Sequence, residues 1–265
     1  MLGIPVIVNV DGIEWERAKW GRFARHIFRI GAHLTAMFAN SLIVDAKAIG
    51  DYWATHFKRD SIYIPYGGVP SADQLPTPLD LTQFGYVVVV ARLVPENSIP
   101  EFLEAAPEIA KSYPVVLVGS SGYGGELETR AQALADSNPN FHWIGHVQDD
   151  HLLHALWQNA RVYFHGHTVG GTNPALVQAM TLGVPTIAVE TRYNREVLGN
   201  LGRFCDGTAV GITKGIHDSW KFEEPSLRSD LMLRASECFS WPSVSRAYSR
   251  QLRNLVYCDR SESNA

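Results

Sequence analysis

The stretch Ala160–Glu190, "ARVYFHGHTVGGTNPALVQAMTLGVPTIAVE", decides the fold. It opens on an apolar run, "ARVYFHG", passes through two adjacent glycines and a helix-like "NPALVQAM", and closes on a second apolar run, "VPTIAVE". Continuous apolar runs of this length suit strands covered on both faces, and strand–helix–strand is the unit of a parallel sheet. Thr172 or Asn173 is placed to cap the helix, and Pro174 fits its first turn, where no N–H is needed.

The same alternation runs outward in both directions. Strands are expected at "IPVIVNV", "SLIVDA", "SIYIPY", "YVVVVAR", "PVVLVGS" and "FHWIGHV", and helices at 99–112, 124–136, 149–158 and 172–182. Trp20, Phe23, Ile27, Ile30, Leu34, Met37 and Phe38 recur at spacings of three and four, which predicts one apolar face of a long helix. The whole reads as a doubly wound α/β protein. The Pro-rich segment 67–85, "GGVPSADQLPTPLDLTQFG", is the best linker. It divides the chain into 1–78, 79–240 and a C-terminal helix, 241–265, with Trp241, Val244, Tyr248, Leu252 and Val256 on one stripe. Three strands before the linker are too few for a complete Rossmann-type domain; five after it make a good one.

Composition bounds the function classes. The chain has 265 residues, 46% hydrophobic and 19% charged, with a net charge of −4 that gives no reason to expect nucleic acid. Cys205, Cys238 and Cys258 lie far apart, which argues against a disulfide framework and for the cytoplasm. No apolar run approaches the roughly 20 residues of a membrane helix. "MLGIPVIVNVDG" reads as a strand that begins at once rather than a signal peptide.

Ligands of parallel α/β sheets sit beyond the carboxyl ends of strands. At one such end Gly170 and Gly171 permit close backbone approach, and the N–H groups and dipole of the following helix favour an anion such as a diphosphate. At another, Arg92 follows "VVVVA", and a guanidinium is a fork-shaped partner for phosphate oxygens. Two strand ends offering anion binders point to a nucleotide-type ligand. His165 and His167 alternate by two and share a strand face, better suited to polar or substrate contacts than to a metal, for which no ligand cluster is found. Asp149-Asp150 reads as a helix start. Asp11, Glu14, Arg17 and Lys19 follow the first strand, with Glu14 and Glu16 read as the acidic first turn of the long helix.

"VNVDGIEWERAKWGR" (8–22), "ARLVPENS" (91–98), "YFHGHTVGGTNPALVQAM" (163–180) and "NREVLGN" (194–200) together resemble glycosyltransferase family 4, of the GT-B fold, and its bacterial rhamnosyltransferase-like branch. The resemblance covers nearly the whole chain. It implies two facing Rossmann-like domains, an acceptor side and a nucleotide-sugar donor side, with the N-terminal domain here lacking its first part. A retaining, metal-independent transfer without a cofactor is implied, from a nucleotide diphosphate sugar to a glycan or lipid-linked acceptor in polysaccharide biosynthesis. The resemblance places Asp11 and Arg92 at the catalytic centre. It puts Asn97, Gly145, Val147, His167, Gly170, Gly171, Thr172, Asn173, Gln178 and Glu196 in substrate binding. Gln178 stands where the family commonly has Glu, and Asn97 where it commonly has Lys; Gln178 can still hydrogen-bond ribose hydroxyls.

About a hundred residues, the remainder of a Rossmann half, are expected ahead of the first strand. The alternative reading is a truncated or degenerate, non-catalytic nucleotide-sugar binding module. Self-association through an exposed strand edge and peripheral membrane contact are further expectations. An NAD-dependent oxidoreductase ranks below both, since "GSSGYGGE" (119–126) follows a middle strand and lacks the GxGxxG spacing.

Overall fold

The computed structural model describes residues 4–17, 20–71, 73–221 and 226–262, the side chains of 256–262 excepted. Lys19 and the side chains of Val256 and Cys258 therefore lie outside the described residues. Two compact units emerge: the first comprises Met1–Gly67, Val169–Thr172 and Phe239–Ala265, the second Gly68–Thr168 and Asn173–Cys238. The C-terminal helix, set apart by its sequence, thus belongs to the first unit, and the division falls at Gly67.

The first unit holds a three-stranded parallel sheet of β1 (Ile7–Asn9), β2 (Ser41–Val44) and β3 (Ile62–Tyr63), joined by α1 (Arg22–Phe38) and α2 (Lys47–Phe57). Ile7 lies opposite Ser41, and Ile43 opposite Ile62. The motif after β1 does not open the long helix. Glu14–Glu16 forms a separate 3-10 turn and α1 starts only at Arg22, because Trp15 turns inward to pack on Tyr52 and Phe57. Glu14 pairs with Arg17 at 2.8 Å and accepts from Trp20 Nε1 at 3.1 Å, so these charges brace the turn.

The apolar periodicity of α1 is real, but its stripe is not buried. Phe23 is 78% and Met37 69% exposed, and Ile27, Ile30, Leu34 and Phe38 are exposed too. Ala32 is the helix's one buried side chain, and ring contacts at 5.0 Å join Phe28 to Trp20 and His33 to Phe57.

The second unit is a six-stranded parallel sheet. Its strands are β4 (Val87–Val90), β5 (Val115–Val118), β6 (Phe141–Trp143), β7 (Val162–His165), β8 (Thr186–Val189) and β9 (Arg203–Cys205), in the order β6-β5-β4-β7-β8-β9. The intervening helices are α3 (Ile99–Ala110), α4 (Glu126–Ser137), α5 (Asp150–Gln158), α6 (Pro174–Thr181) and α7 (Arg192–Leu198); α8 (Ala209–Lys221) and α9 (Leu227–Cys238) follow β9. All eight strands expected from apolar runs are present, and β9 is added. Helices α3 to α6 match the expected spans within two residues at each end.

In the second unit the valine-rich β4 is covered on both faces and pairs with β5 and β7, so Val87 faces both Val115 and Val162. Phe102 of α3 stacks on Phe164 of β7 at 5.3 Å within this core. Chain order reverses between β4 and β7, the switch point at which such sheets open a crevice. Part of the expected linker is pinned rather than loose: buried Asn159 donates to Leu75 O at 3.1 Å and accepts from Gln83 at 3.0 Å.

The last helix, α10 (Trp241–Glu262), completes the first unit. It begins directly after Ser240, at the expected bound of 241, and Val244 joins Ile43 and Ile64 in the core there. The rest of its expected stripe is weaker, since Trp241 and Leu252 are exposed.

Candidate functional site

A cavity of about 410 Å³ opens within the second unit at the carboxyl ends of its central strands. Its wall is built from the loops after β4 (Arg92, Asn97), β5 (Gly119, Ser120), β6 (His146, Val147) and β7 (His165–His167), with Asn173–Ala175 closing one side. These loops approach closely because Gly166 lies against the backbone: a Cβ there would run into Asn97 O.

Arg92 is exposed on this wall, and its guanidinium makes no ion pair or hydrogen bond with a described side chain. It is thus the cation on offer to an anionic ligand. Asn97, by contrast, is buried and already used. Its Nδ2 donates to Arg92 O at 2.9 Å and its Oδ1 faces His167 Nδ1, so it holds the Arg92 turn and orients the His167 ring.

Behind His167 sits His165, 3% exposed, with Nδ1 2.9 Å from the Tyr163 hydroxyl. Burial, aided by the nearby His167, pushes the pKa of His165 down to about 3, so the ring is neutral. Asn194 of α7 lies close enough to oppose that shift, yet makes no hydrogen bond to Nε2; its amide donates to Val189 O and His167 O.

The start of α6 differs from the expected open cradle. Asn173 is the cap, and its Oδ1 accepts from Ala175 N–H at 2.9 Å and Leu176 N–H at 3.4 Å. Pro174 has no N–H, and Val177 N–H bonds Asn173 O, so the first turn satisfies its own donors. What remains toward the cavity is the helix dipole.

Arg92, Asn97, Val147, His167 and Asn173 therefore come together on one wall, whereas the other expected residues lie elsewhere. Gly145 sits just behind it, its carbonyl accepting from Gly119 N–H at 2.7 Å. Glu196 does not line the cavity; its carbonyl accepts from Arg234, while Asn194 of the same helix supports the wall by donating to His167 O. The Gln178 amide is engaged by the main chain: its Oε1 accepts from Val69 N–H at 2.9 Å and its Nε2 donates to Val69 O at 2.8 Å.

Gly170, Gly171 and Thr172 belong to the first unit. There a Cβ on Gly171 would strike the Asp45 carboxylate, and Thr172 Oγ1 donates to Asp45 O. Asp11 lies in the first unit as well. Desolvation raises its carboxyl above the ordinary range, Arg17 opposing and Glu14 adding to the shift.

Sequence reasoning paired His165 with His167 for polar or substrate contacts, and the cavity wall holds both; it did not single out Ser120 or Asn194. The i, i+2 spacing of Tyr163, His165 and His167 was the signal that linked a hydroxyl to two imidazoles. Among the described residues no group of three or more His, Cys, Asp or Glu side chains is arranged to hold a metal ion. Among them, too, no helix is long and apolar enough to cross a membrane.

The sequence signature described as "Glycosyl transferases group 1" matches residues 79–213, just over half of the chain. A second, "Domain of unknown function (DUF1972)", matches residues 1–69. Among characterised proteins, O-antigen chain mannosyltransferase B of Escherichia coli is 27% identical over 170 residues, covering 59% of this chain and 42% of that protein.

The chain is also similar to solved structures. Sucrose-phosphate synthase from Thermosynechococcus elongatus superposes with a TM-score of 0.78 at 17% identity, covering 95% of this chain and 68% of that one. Anabaena HepE in complex with UDP and glucose gives 0.74 at 17% identity, over 94% and 71%. A glycosyltransferase from Rickettsia africae gives 0.71 at 12%, over 82% and 63%. At these identities the likeness concerns the fold, that of GT-B glycosyltransferases with their parallel α/β sheets. The chain spans less than half of the mannosyltransferase and under two thirds of the Rickettsia protein.

Proposed function

The chain belongs to the glycosyl transferases group 1 family, and on that premise we propose that its second unit binds a nucleotide diphosphate sugar for transfer to a glycan or lipid-linked acceptor. The observation that carries this reading is the exposed Arg92 on a cavity at the switch point of a parallel sheet. A guanidinium there meets a leaving diphosphate with charge-assisted hydrogen bonds, and the α6 dipole adds to the same potential. Retention of configuration, without metal or cofactor, follows the family resemblance, as does rhamnose for the donated sugar. We place the reaction in the cytoplasm, in polysaccharide assembly, with peripheral membrane contact. UDP is the first nucleotide to try, because HepE is described with it.

Calorimetry with UDP, dTDP and GDP tests the proposal. At least one is expected to bind, and Arg92→Ala to weaken it about tenfold or more, the scale of a lost charge-assisted contact. If none of the three binds, the reading fails. A second reading, a binding module without turnover, is favoured by Gln178, whose amide is committed to Val69. Release of nucleoside diphosphate from a nucleotide sugar by this chain would dismiss it.

A further inference from the structure

The buried polar side-chain atoms of the cavity wall have protein partners, with one exception. His165 Nε2 is buried and makes no hydrogen bond, although its residue lines the cavity. The Tyr163 hydroxyl lies 2.9 Å from Nδ1 of the same ring and 3.3 Å from Val90 O, and its single proton serves one of the two; assigned to the shorter contact, it is donated to Nδ1. Nδ1 then accepts, and the single proton of the neutral ring must sit on Nε2. A buried N–H without an acceptor is costly, and a ligand oxygen recovers that cost.

Resting on the reading of this cavity as a nucleotide-sugar site, we propose that His165 is a ligand-binding residue whose Nε2–H donates to a phosphate or hydroxyl oxygen of the bound donor. The neighbouring groups fit that role. Asn97 orients His167 in front, Asn194 holds the His167 and Val189 carbonyls beside the ring, and Tyr163 fixes it from behind. Because the ring stays neutral to about pH 3, it is a donor without charge, distinct from Arg92.

Two measurements on the intact chain test this. Imidazole 15N NMR of the free protein is expected to show His165 as the Nε2–H tautomer, and that N–H to shift on addition of the tightest-binding of UDP, dTDP and GDP. In calorimetry with that nucleotide and its glucose conjugate, His165→Leu is expected to bind about tenfold more weakly, and His165→Gln, which keeps an amide N–H near the Nε2 position, within about threefold of wild type. Loss with both ligands assigns the contact to the nucleoside diphosphate; loss with the conjugate alone assigns it to the sugar. An Nδ1–H tautomer, or full affinity in His165→Leu, overturns the proposal while Arg92 dependence still stands. Absence of all nucleotide binding in the wild type instead removes the reading beneath it, and this proposal with it.

Discussion

Gln178 shows how far a single residue can be read from sequence. Its place on the helix after the glycine turn was legible. Its partner, Val69, lies 109 positions away, and nothing in local spacing reports a bond of that range. Two hydrogen bonds to one backbone unit make the side chain a latch on the segment that enters the second unit. His165 was equally visible and equally under-read, because burial is a property of the sheet around it. That burial has a pH signature. The ordinary value of 6.5 applies to the unfolded chain and about 3 to the folded one, so between them only the unfolded state takes up the proton. Stability then falls as pH drops below about 6.5, by up to about 1.4 kcal/mol per unit. Urea midpoints of wild type and His165→Gln, compared at pH 7 and pH 5, measure this. The wild type should lose more on acidification, and parallel losses would contradict it.

Elements were legible where packing leaves a repeating trace. Val87–Val90 and Val115–Val118 are continuous apolar runs because both faces of the sheet are covered. The strand "RFC" at 203–205 is too short to leave one, and α9 buries only Leu227, Leu231 and Ala235. For α1 the period was legible but its direction was not, because periodicity names a face without saying what it meets. With six large apolar side chains in water, α1 should limit solubility. Ile27→Gln with Met37→Gln is expected to raise the concentration at which light scattering detects aggregates, while the melting temperature stays within a few degrees, as for exposed positions generally. A wild type that stays monodisperse at the highest concentrations would remove the basis for this.

At the scale of the whole molecule, the first unit is assembled from three stretches of chain, which no linker composition announces. Its core needs α10: Val244 packs with Ile43 and Ile64, and at Gly67 a Cβ would collide with Trp241. Ending the chain at Cys238 should therefore unfold the first unit, as lost ellipticity beyond that of α10 alone. The cavity lies wholly within the second unit, so this shortened chain is expected to keep nucleotide affinity within about threefold, about 0.7 kcal/mol. Loss of binding would mean that the first unit supplies part of the site.

The cavity wall is drawn from segments near residues 90, 119, 147, 165 and 174, at the tips of four different βα connections. A ligand seated there would act as a clasp across separately threaded stretches of chain, since none of them forms the site alone. Occupancy should then be felt by the second unit as a whole, raising its unfolding temperature as a function of free nucleotide concentration. Heating curves would thereby become a screen for the donor, ranking nucleotide sugars before any acceptor is known.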